Sequence, residues 1–195
     1  MLKKIIGSII GYRFILLFVK FYTVFLKEKV KKAHGEVALS YIKNKGNDCR
    51  IHGKSTIYCG ENINLGHGVR IGEGAFFHAM GGLEVGDNTQ ISRNVIIYTC
   101  NHDVNGEAIP YDDGYILKKV VIGESVWIGM GVMITPGVTI GDGAIIGMGA
   151  VISRDIKKGE VVVGSPQRVV GQRNIIRFDA MKRSRKLFST TWPDK

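Results

Sequence analysis

The segment from Ile122 to Lys157 reads, six residues at a time, Ile122-Gly-Glu-Ser-Val-Trp, Ile128-Gly-Met-Gly-Val-Met, Ile134-Thr-Pro-Gly-Val-Thr, Ile140-Gly-Asp-Gly-Ala-Ile, Ile146-Gly-Met-Gly-Ala-Val and Ile152-Ser-Arg-Asp-Ile-Lys. Isoleucine opens all six groups, glycine follows it in four of them, and the fifth position is always Val, Ala or Ile. A repeat this regular predicts a protein built from stacked copies of one small unit.

The six-residue period favours extended chain over helix. Six steps around an α-helix rotate the side chain by roughly 600°, so successive isoleucines would face different directions. In extended chain the side chains alternate with a period of two, and the first and fifth positions of every group therefore point to the same side. A strand of four residues spans only about 13 Å, and the recurrent glycine suits the tight bend that must follow it. The pattern predicts an all-β solenoid, a coil of short parallel strands with the isoleucines inside.

Weaker repeats extend the coil toward the N-terminus, with two interruptions. The phase slips by two residues after Phe77, which predicts a bulge or short loop near Met80. Before the slip, Cys59 occupies a first position of a hexad and is predicted to face inward. A polar stretch from about residue 98 to residue 120 is too long for a corner and is predicted to be an extruded loop. The weaker groups open at Gly53, Cys59, Leu65, Ile71, Val85, Ile91 and Ile97.

Charge is distributed unevenly along the 195 residues, whose net charge is +10. Residues 1–54 carry twelve Lys or Arg against three acidic residues, residues 55–153 carry four against ten, and residues 154–195 carry eleven against four. Basic ends favour an anionic membrane surface or phosphorylated ligands, whereas nucleic acid is not expected because no reader motif accompanies the charge. The three cysteines form no CxxC pair, so we expect reduced thiols in a cytoplasmic protein.

The first thirty residues are apolar and aromatic with lysines on the flanks, which predicts a helical segment. A signal peptide is not expected, because no small-residue cleavage site is present and Lys20, Lys27 and Lys29 follow the apolar stretch. The longest uncharged run after Arg13 ends at Val19 and is too short to span a bilayer. Two roles stay open and can coexist: the helix covers the first turn of the coil, or it lies on a membrane surface.

The hexads and the extruded loop resemble those of the hexapeptide-repeat acyltransferase family, particularly its sugar and polysaccharide O-acetyltransferases and more distantly its xenobiotic acetyltransferases. The resemblance implies a left-handed parallel β-helix, although ordinary crossovers between parallel strands are right-handed. It also implies a homotrimer with active sites between subunits and acetyl-CoA as co-substrate, with no metal. We expect a helical N-terminal segment over residues 1–46, the β-helix over residues 47–170 and a basic tail with a short helix over residues 171–195.

His102 is the leading catalytic candidate, because it lies at the start of the extruded loop. An imidazole near neutral pH can remove the proton from a hydroxyl that attacks a thioester carbonyl. The resemblance implies this role of general base for a histidine at that position. Sugar acetyltransferases of the family tend to have an asparagine that contacts the acceptor where this chain has His78, so His78 either binds the acceptor or is structural. Glu84, Asn101 and Asp103 are further predicted acceptor contacts, and Asp103 or a backbone carbonyl is expected to orient the imidazole.

The donor site is predicted after the loop. The resemblance implies that coenzyme A lies in a groove between subunits, against outward corners of the coil, with its phosphates on basic residues near the coil's end. Carried over position by position, the cofactor-binding residues are Trp127, Met130, Gly147, Met148, Gly149, Ser153, Arg154 and Arg168, and Arg173 is close enough in sequence to join them.

The sequence therefore predicts a cytoplasmic acetyl-CoA-dependent O-acetyltransferase that acts on a sugar hydroxyl in surface polysaccharide biosynthesis. The apolar, basic N-terminus would suit a lipid-linked saccharide, with the enzyme peripheral at the inner membrane face. The alternative within the family is an antibiotic (xenobiotic) acetyltransferase. A non-catalytic binding solenoid needs no histidine in the loop. A zinc lyase related to carbonic anhydrase needs three converging ligands, which would have to be His67, His78 and His102.

Overall fold

The computed structural model describes residues 2–104, 111, 113–165, 167–172 and 174–184, with side chains from residue 11 onward. The helices are α1 (Leu2–Phe21), a π-helical segment (Tyr22–Leu26), α2 (Lys27–Ser40), a 3-10 turn (Gly60–Asn62) and α3 (Ile175–Arg183). The strands are β1 (Asn44–Lys45), β2 (Arg50–Ile51), β3 (Thr56–Tyr58), β4 (Ile63–Leu65), β5 (Arg70–Ile71), β6 (Phe76–His78), β7 (Leu83–Val85), β8 (Gln90–Ile91), β9 (Ile96–Tyr98), β10 (Cys100–His102), β11 (Tyr115–Leu117), β12 (Val120–Ile122), β13 (Trp127–Ile128), β14 (Met133–Ile134), β15 (Thr139–Ile140), β16 (Ile145–Ile146), β17 (Val151–Ile152), β18 (Glu160–Val163) and β19 (Arg168–Gln172).

The predicted solenoid is confirmed as a left-handed parallel β-helix with three flat faces. Sheet A contains β1, β4, β7, β12 and β15, and sheet C contains β3, β6, β9, β14 and β17. Sheet B contains β2, β5, β8, β13, β16 and β18, and β19 adds to its end as an antiparallel strand. Because consecutive strands visit A, B and C in turn, each circuit of the chain makes one layer of the prism.

Aliphatic side chains from equivalent positions stack inside the prism. On sheet B, Ile91, Ile128 and Ile146 lie in register on neighbouring strands and are all buried. Their neighbours one residue earlier, Gln90, Trp127 and Ile145, face outward. This is the alternation that the hexads predict, and it places alternate residues of the same short strand in the core and on the binding surface.

The circuits differ in length, which corrects one prediction. The predicted slip after Phe77 is present, since Gly82 closes a turn onto Ala79 before β7. An equivalent slip precedes it at the 3-10 turn Gly60–Asn62, and there Cys59 has a left-handed backbone (φ +57°) and is only half-buried. The prediction of one unbroken hexad phase from Gly53 to Ile71 is therefore wrong, whereas the inward direction of Cys59 stays a prediction. Gly60-Glu-Asn looks like part of a hexad in sequence, but the chain forms a corner there.

Helix α2 covers the exposed edge of β2, the terminal strand of sheet B. Ala38 is buried at this contact, and Gly35 lies so close to β2 that a Cβ atom there would collide with the carbonyl oxygen of Ile51. Lys31 reaches Glu73 on the next layer, with 3.6 Å between Nζ and Oε2. The close approach of two backbones explains a glycine inside a helix, where glycine is otherwise unfavourable by about 1 kcal/mol.

We expect Gly35→Ala to destabilise this contact although alanine is the better helix former. The added methyl group would collide with backbone, and such overpacking costs about 1–3 kcal/mol. Urea denaturation would measure the loss. Ala33→Gly on the exposed side of α2 is the control, since it should cost only the helix-propensity difference of about 1 kcal/mol. A Gly35→Ala protein as stable as wild type would contradict the close packing of α2 on β2.

Helix α3 covers the far end of the coil, beside Gly143 of the turn before β16. Phe178 is buried against Gly143, and Lys182 forms an ion pair with Glu124. This hydrogen bond to Glu124 raises the pKa of Lys182. Asn174 caps the helix by accepting a hydrogen bond from the Arg177 amide at 2.9 Å. In the described part of the chain, no helix combines the length and the apolar character required to cross a bilayer.

Candidate active site

The extruded loop leaves the coil as an antiparallel hairpin, β10–β11, in which His102 pairs with Tyr115. Thr99, fully buried at the base of this hairpin, fixes it to the previous layer: its Oγ1 accepts a hydrogen bond from the Gly81 amide (2.7 Å) and donates one to the His78 carbonyl (3.1 Å). Its own carbonyl accepts a bond from the Lys118 amide (2.8 Å) on the returning strand. The hairpin therefore starts from a rigid corner, between sheet C and sheet A.

Two tyrosine rings hold the imidazole of His102. The Tyr111 ring is stacked on it, with centroids 3.8 Å apart and planes inclined by 15°, and the Tyr115 ring is tilted against it at 4.5 Å. Nδ1 of His102 is buried, and no hydrogen-bond partner for it lies among the described residues. Ring contacts, not a charge-relay carboxylate, therefore fix the imidazole plane in the described part of the chain.

The neighbours of His102 point in different directions. Asn101 is exposed and pairs with Ile116 across the hairpin. Asp103 continues the hairpin, and its amide donates to the Gly114 carbonyl at 3.0 Å. Both lie beside His102 in sequence, and whether they contact an acceptor stays a prediction.

His78 lies on the outer face of sheet C, one layer below the hairpin, among aromatic rings. It is in register with Tyr58 and Tyr98, whose rings are 5.6 Å and 5.4 Å from its own. Phe76 stacks on Tyr98 at 5.6 Å. On its inner side, Nδ1 of His78 is 3.0 Å from the sulfur of Cys100. His78 is thus fixed on one side and half-exposed on the other.

Cys100 is unsuited to act as a nucleophile. It is buried, and burial, followed by the nearby Cys59, raises the pKa of its thiol. The reactive form of cysteine is the thiolate, which this environment disfavours. The contact with His78 is therefore a hydrogen bond that positions the imidazole.

Glu84, another predicted acceptor contact, lies on sheet A. It forms an ion pair with Lys119, the residue that follows the hairpin and precedes β12. This pair ties the return of the loop to the previous layer. Glu84 is therefore on a different face from His78, and its predicted contact with acceptor is not tested.

A groove of about 750 Å³ crosses the outer face of sheet B and brings together four of the predicted donor residues, Trp127, Met130, Gly147 and Met148. Trp127, Met130 and Met148 are exposed. The groove continues toward the N-terminus past Gln90, Ser92 and Arg93 to Arg70, His52 and Lys31, and Glu73 also lines it. It offers an apolar, thioether-rich floor with cationic side chains at one end.

Comparison with known proteins identifies the fold and its chemistry. The bacterial transferase hexapeptide family (six repeats) matches residues 119–154. A galactoside acetyltransferase solved in complex with coenzyme A is 31% identical, with a TM-score of 0.63 over 71% of this chain and 67% of its own. A maltose O-acetyltransferase from Clostridium difficile 630 is 36% identical, with a TM-score of 0.55 over 67% of both chains. The chain belongs to the hexapeptide-repeat acyltransferase family.

A more distant acyltransferase shares the fold. A hexapeptide-repeat-containing acetyltransferase from Vibrio cholerae is 22% identical, with a TM-score of 0.62 over 74% of this chain and 91% of its own. A sequence comparison with curated proteins gave no match. Family membership makes the protein an enzyme, as predicted, and its acyltransferase class is confirmed.

The end of the coil carries the remaining predicted donor residues of this acyltransferase. Ser153 and Arg154 form an exposed corner after β17, and the Gln167 side chain binds it: Oε1 accepts from the Ser153 amide (2.9 Å) and the Arg154 amide (3.0 Å), while Nε2 donates to the Arg154 carbonyl (3.0 Å). Arg168 follows Gln167 directly and is exposed. Gln167 therefore brings the exposed residues Arg154 and Arg168 close together in space.

Two other donor predictions have different outcomes. Gly149 has a positive φ of +70° with open space where a side chain would lie, so its backbone is accessible from outside. Arg173 lies outside the described residues. Among the described residues, no group of three or more His, Cys, Asp or Glu side chains could hold a metal ion. His67 instead accepts a hydrogen bond from the Asn47 amide at 3.0 Å.

The sequence analysis missed four residues that shape the site: Thr99, Tyr111, Tyr115 and Gln167. Two tyrosines four residues apart in an otherwise polar loop were a usable signal, because exposed aromatic rings commonly mark contact surfaces. Thr99 and Gln167 had no such signal. Their roles depend on hydrogen bonds to residues 13–21 positions away in sequence.

Proposed function

We propose that this acyltransferase transfers an acetyl group from acetyl-CoA to a sugar hydroxyl, with His102 as general base. The observation that carries the proposal is the imidazole held between Tyr111 and Tyr115 on a hairpin anchored by Thr99. A base held in a fixed orientation accelerates proton transfer most when the acceptor hydroxyl is also bound in a fixed position. The galactoside and maltose acetyltransferases to which the chain is similar support a sugar as acceptor.

The reaction proceeds by direct transfer in a ternary complex. Because Nδ1 of His102 is buried, Nε2 is the nitrogen that takes the proton from the acceptor hydroxyl. The hydroxyl oxygen attacks the thioester carbon, and the C–S bond of the tetrahedral intermediate then breaks. The imidazolium returns its proton to the departing thiolate, so the products are the acetyl ester and coenzyme A. No acyl-enzyme forms, in agreement with the raised pKa of the Cys100 thiol.

The residues of the sheet B groove and the coil's end suit acetyl-CoA. Trp127, Met130 and Met148 provide apolar and polarisable contacts for the pantetheine arm. The corner at Gly149 leaves main-chain groups accessible, whereas Gly147 packs closely against Val163. Arg154 and Arg168 supply planar donors for phosphate groups, and the Gln167 clamp holds the corner that presents Arg154.

We propose that the active unit is a homotrimer with sites shared between subunits. In one chain the hairpin leaves the corner between sheets C and A, whereas Trp127 lies on sheet B, the face opposite that corner. His102 and the groove can form one site only if the hairpin of one subunit reaches sheet B of the next. Cyclic symmetry would complete every site in the same way.

For the acceptor, we propose that the sugar lies along sheet C near His78. The exposed rings of Tyr58 and Tyr98 and the half-buried ring of Phe76 form an aromatic ladder there. Flat rings suit the apolar faces of a pyranose. The half-exposed imidazole of His78 supplies a polar contact, and Cys100 holds its Nδ1 side. We place the enzyme in the cytoplasm, where it would modify a precursor of a surface polysaccharide.

A thiol-release assay tests the proposal. Purified protein is incubated with acetyl-CoA and a panel of nucleotide sugars and oligosaccharides, with chloramphenicol and a streptogramin as the xenobiotic arm. We expect turnover on at least one saccharide that depends on His102, with none on the antibiotics. Turnover confined to an antibiotic would overturn the sugar acceptor, and turnover on sugars that survives His102→Ala would overturn the base.

A further inference from the structure

The N-terminal apolar segment, residues 11–25, is a helical surface that packs against no other described element of the coil. Every one of its residues is exposed, in contrast to α2, where Gly35 and Ala38 are buried against the coil. The exposed fractions are high for large apolar groups, reaching 72% at Phe14 and 71% at Val24. The large apolar side chains concerned are Tyr12, Phe14, Ile15, Leu16, Leu17, Phe18, Val19, Phe21, Tyr22, Val24 and Phe25.

We propose that the N-terminal apolar segment binds peripherally to an anionic lipid surface. Patches of this size and continuity on a soluble surface mark sites of contact with another apolar phase. Since none of the described helices can cross a bilayer, the segment lies in the interface, where six aromatic rings in fifteen residues are favourable.

The positive charge of the segment and of the residues after it indicates that the lipid surface is anionic. Residues 11–32 contain six basic residues and a single acidic one, Glu28. Arg13 and Lys20 are seven residues apart in α1, within about 20° of two full helical turns, so they share one side of the helix. Long basic side chains on one side can reach lipid phosphates while the rest of the helix is embedded.

The distribution of apolar groups around α1 favours lipid over a second copy of the chain. Phe14, Phe18 and Phe21 form one stripe, with the spacing of a helix–helix contact. Packing of that stripe against another helix would leave Ile15, Leu16 and Val19 on the remaining circumference in water. A lipid interface can cover both sets, with the side chains of Arg13 and Lys20 at the headgroups.

The position of the helix connects this surface to the enzyme. Helix α1 continues through the π-helical segment into α2, and Lys31 of α2 lines the basic end of the groove that contains Trp127. Binding of α1 to a membrane would therefore hold the donor groove close to the lipid surface. The inference does not depend on the acyl-transfer proposal, because it follows from exposure and charge alone.

Vesicle flotation of the full-length protein tests the inference, with vesicles of phosphatidylcholine alone or mixed with phosphatidylglycerol. We expect flotation with the anionic vesicles that weakens with salt. Partitioning should fall at least about tenfold in Phe14→Ser/Phe18→Ser and in Arg13→Glu/Lys20→Glu. The matched control is Ile176→Ser, which removes an equally exposed side chain from α3 (84% exposed) and should float as wild type does.

Two results would overturn the inference. One is equal flotation of wild type and both double variants, or flotation independent of anionic lipid. The other is absence of flotation together with concentration-dependent self-association that the Phe14→Ser/Phe18→Ser variant loses, which would assign the surface to a second copy. Turnover with a soluble acceptor is measured on the same preparations, so that failure of the proposed acyl transfer is recognised separately.

Discussion

Replacing His102 with alanine should lower kcat by about 10²–10⁴-fold, with little change in KM for acetyl-CoA. Loss of one general base has an effect of this size, and the sheet B groove that we assign to the donor does not contain His102. Steady-state kinetics at saturating acetyl-CoA would measure the loss. Thermal unfolding should be nearly unchanged, because the imidazole lies on the hairpin and not in the core of the coil.

The tyrosines provide a graded control for this prediction. Tyr115→Phe keeps the ring that packs on His102, whereas Tyr115→Ala removes it. We expect the phenylalanine variant to retain most of the activity and the alanine variant to lose about tenfold or more in kcat through poorer positioning. If His102→Ala turned over at the wild-type rate, the base would have to be sought elsewhere. Equal kcat in all three tyrosine forms would contradict a positioning role for the stack.

Ile128→Ala should reduce stability and Trp127→Ala should weaken donor binding, although the two residues are adjacent on β13. Ile128 is fully buried between Ile91 and Ile146, and truncation of such a residue costs about 2–5 kcal/mol. Trp127 is 56% exposed in the groove. Its truncation should leave stability within about 0.5 kcal/mol and raise KM for acetyl-CoA at least about fivefold, equivalent to 1 kcal/mol.

Chemical denaturation and donor titration of the same two proteins would check this pair. Each variant serves as the control for the other, because the two residues are neighbours on one strand and one faces the core whereas the other faces the groove. A Trp127→Ala protein that is as unstable as Ile128→Ala would show that the tryptophan is structural. An Ile128→Ala protein with wild-type stability would contradict the stacked core.

Local alternation made the fold predictable. Whether a side chain faces in or out depends on its position in a short strand, so the hexads indicated the core isoleucines, whereas Trp127, Met130 and Met148 were indicated by the family resemblance. The same pattern indicated where the chain leaves the coil, and so the hairpin with His102. It failed at Gly60–Asn62, because a two-residue corner insertion there has the same composition as part of a hexad.

By itself, then, the sequence determined the coil of short parallel strands, the inward isoleucines and the place of the extruded loop, since all of these follow from a repeat that acts over a few residues. Only the tertiary structure decided which side chains meet across layers. His78 contacts Cys100, Gln167 binds the corner at Ser153 and Arg154, and Gly35 lies against Ile51. Such contacts depend on how many residues each circuit contains, because one inserted corner residue shifts every later side chain relative to the layer beneath.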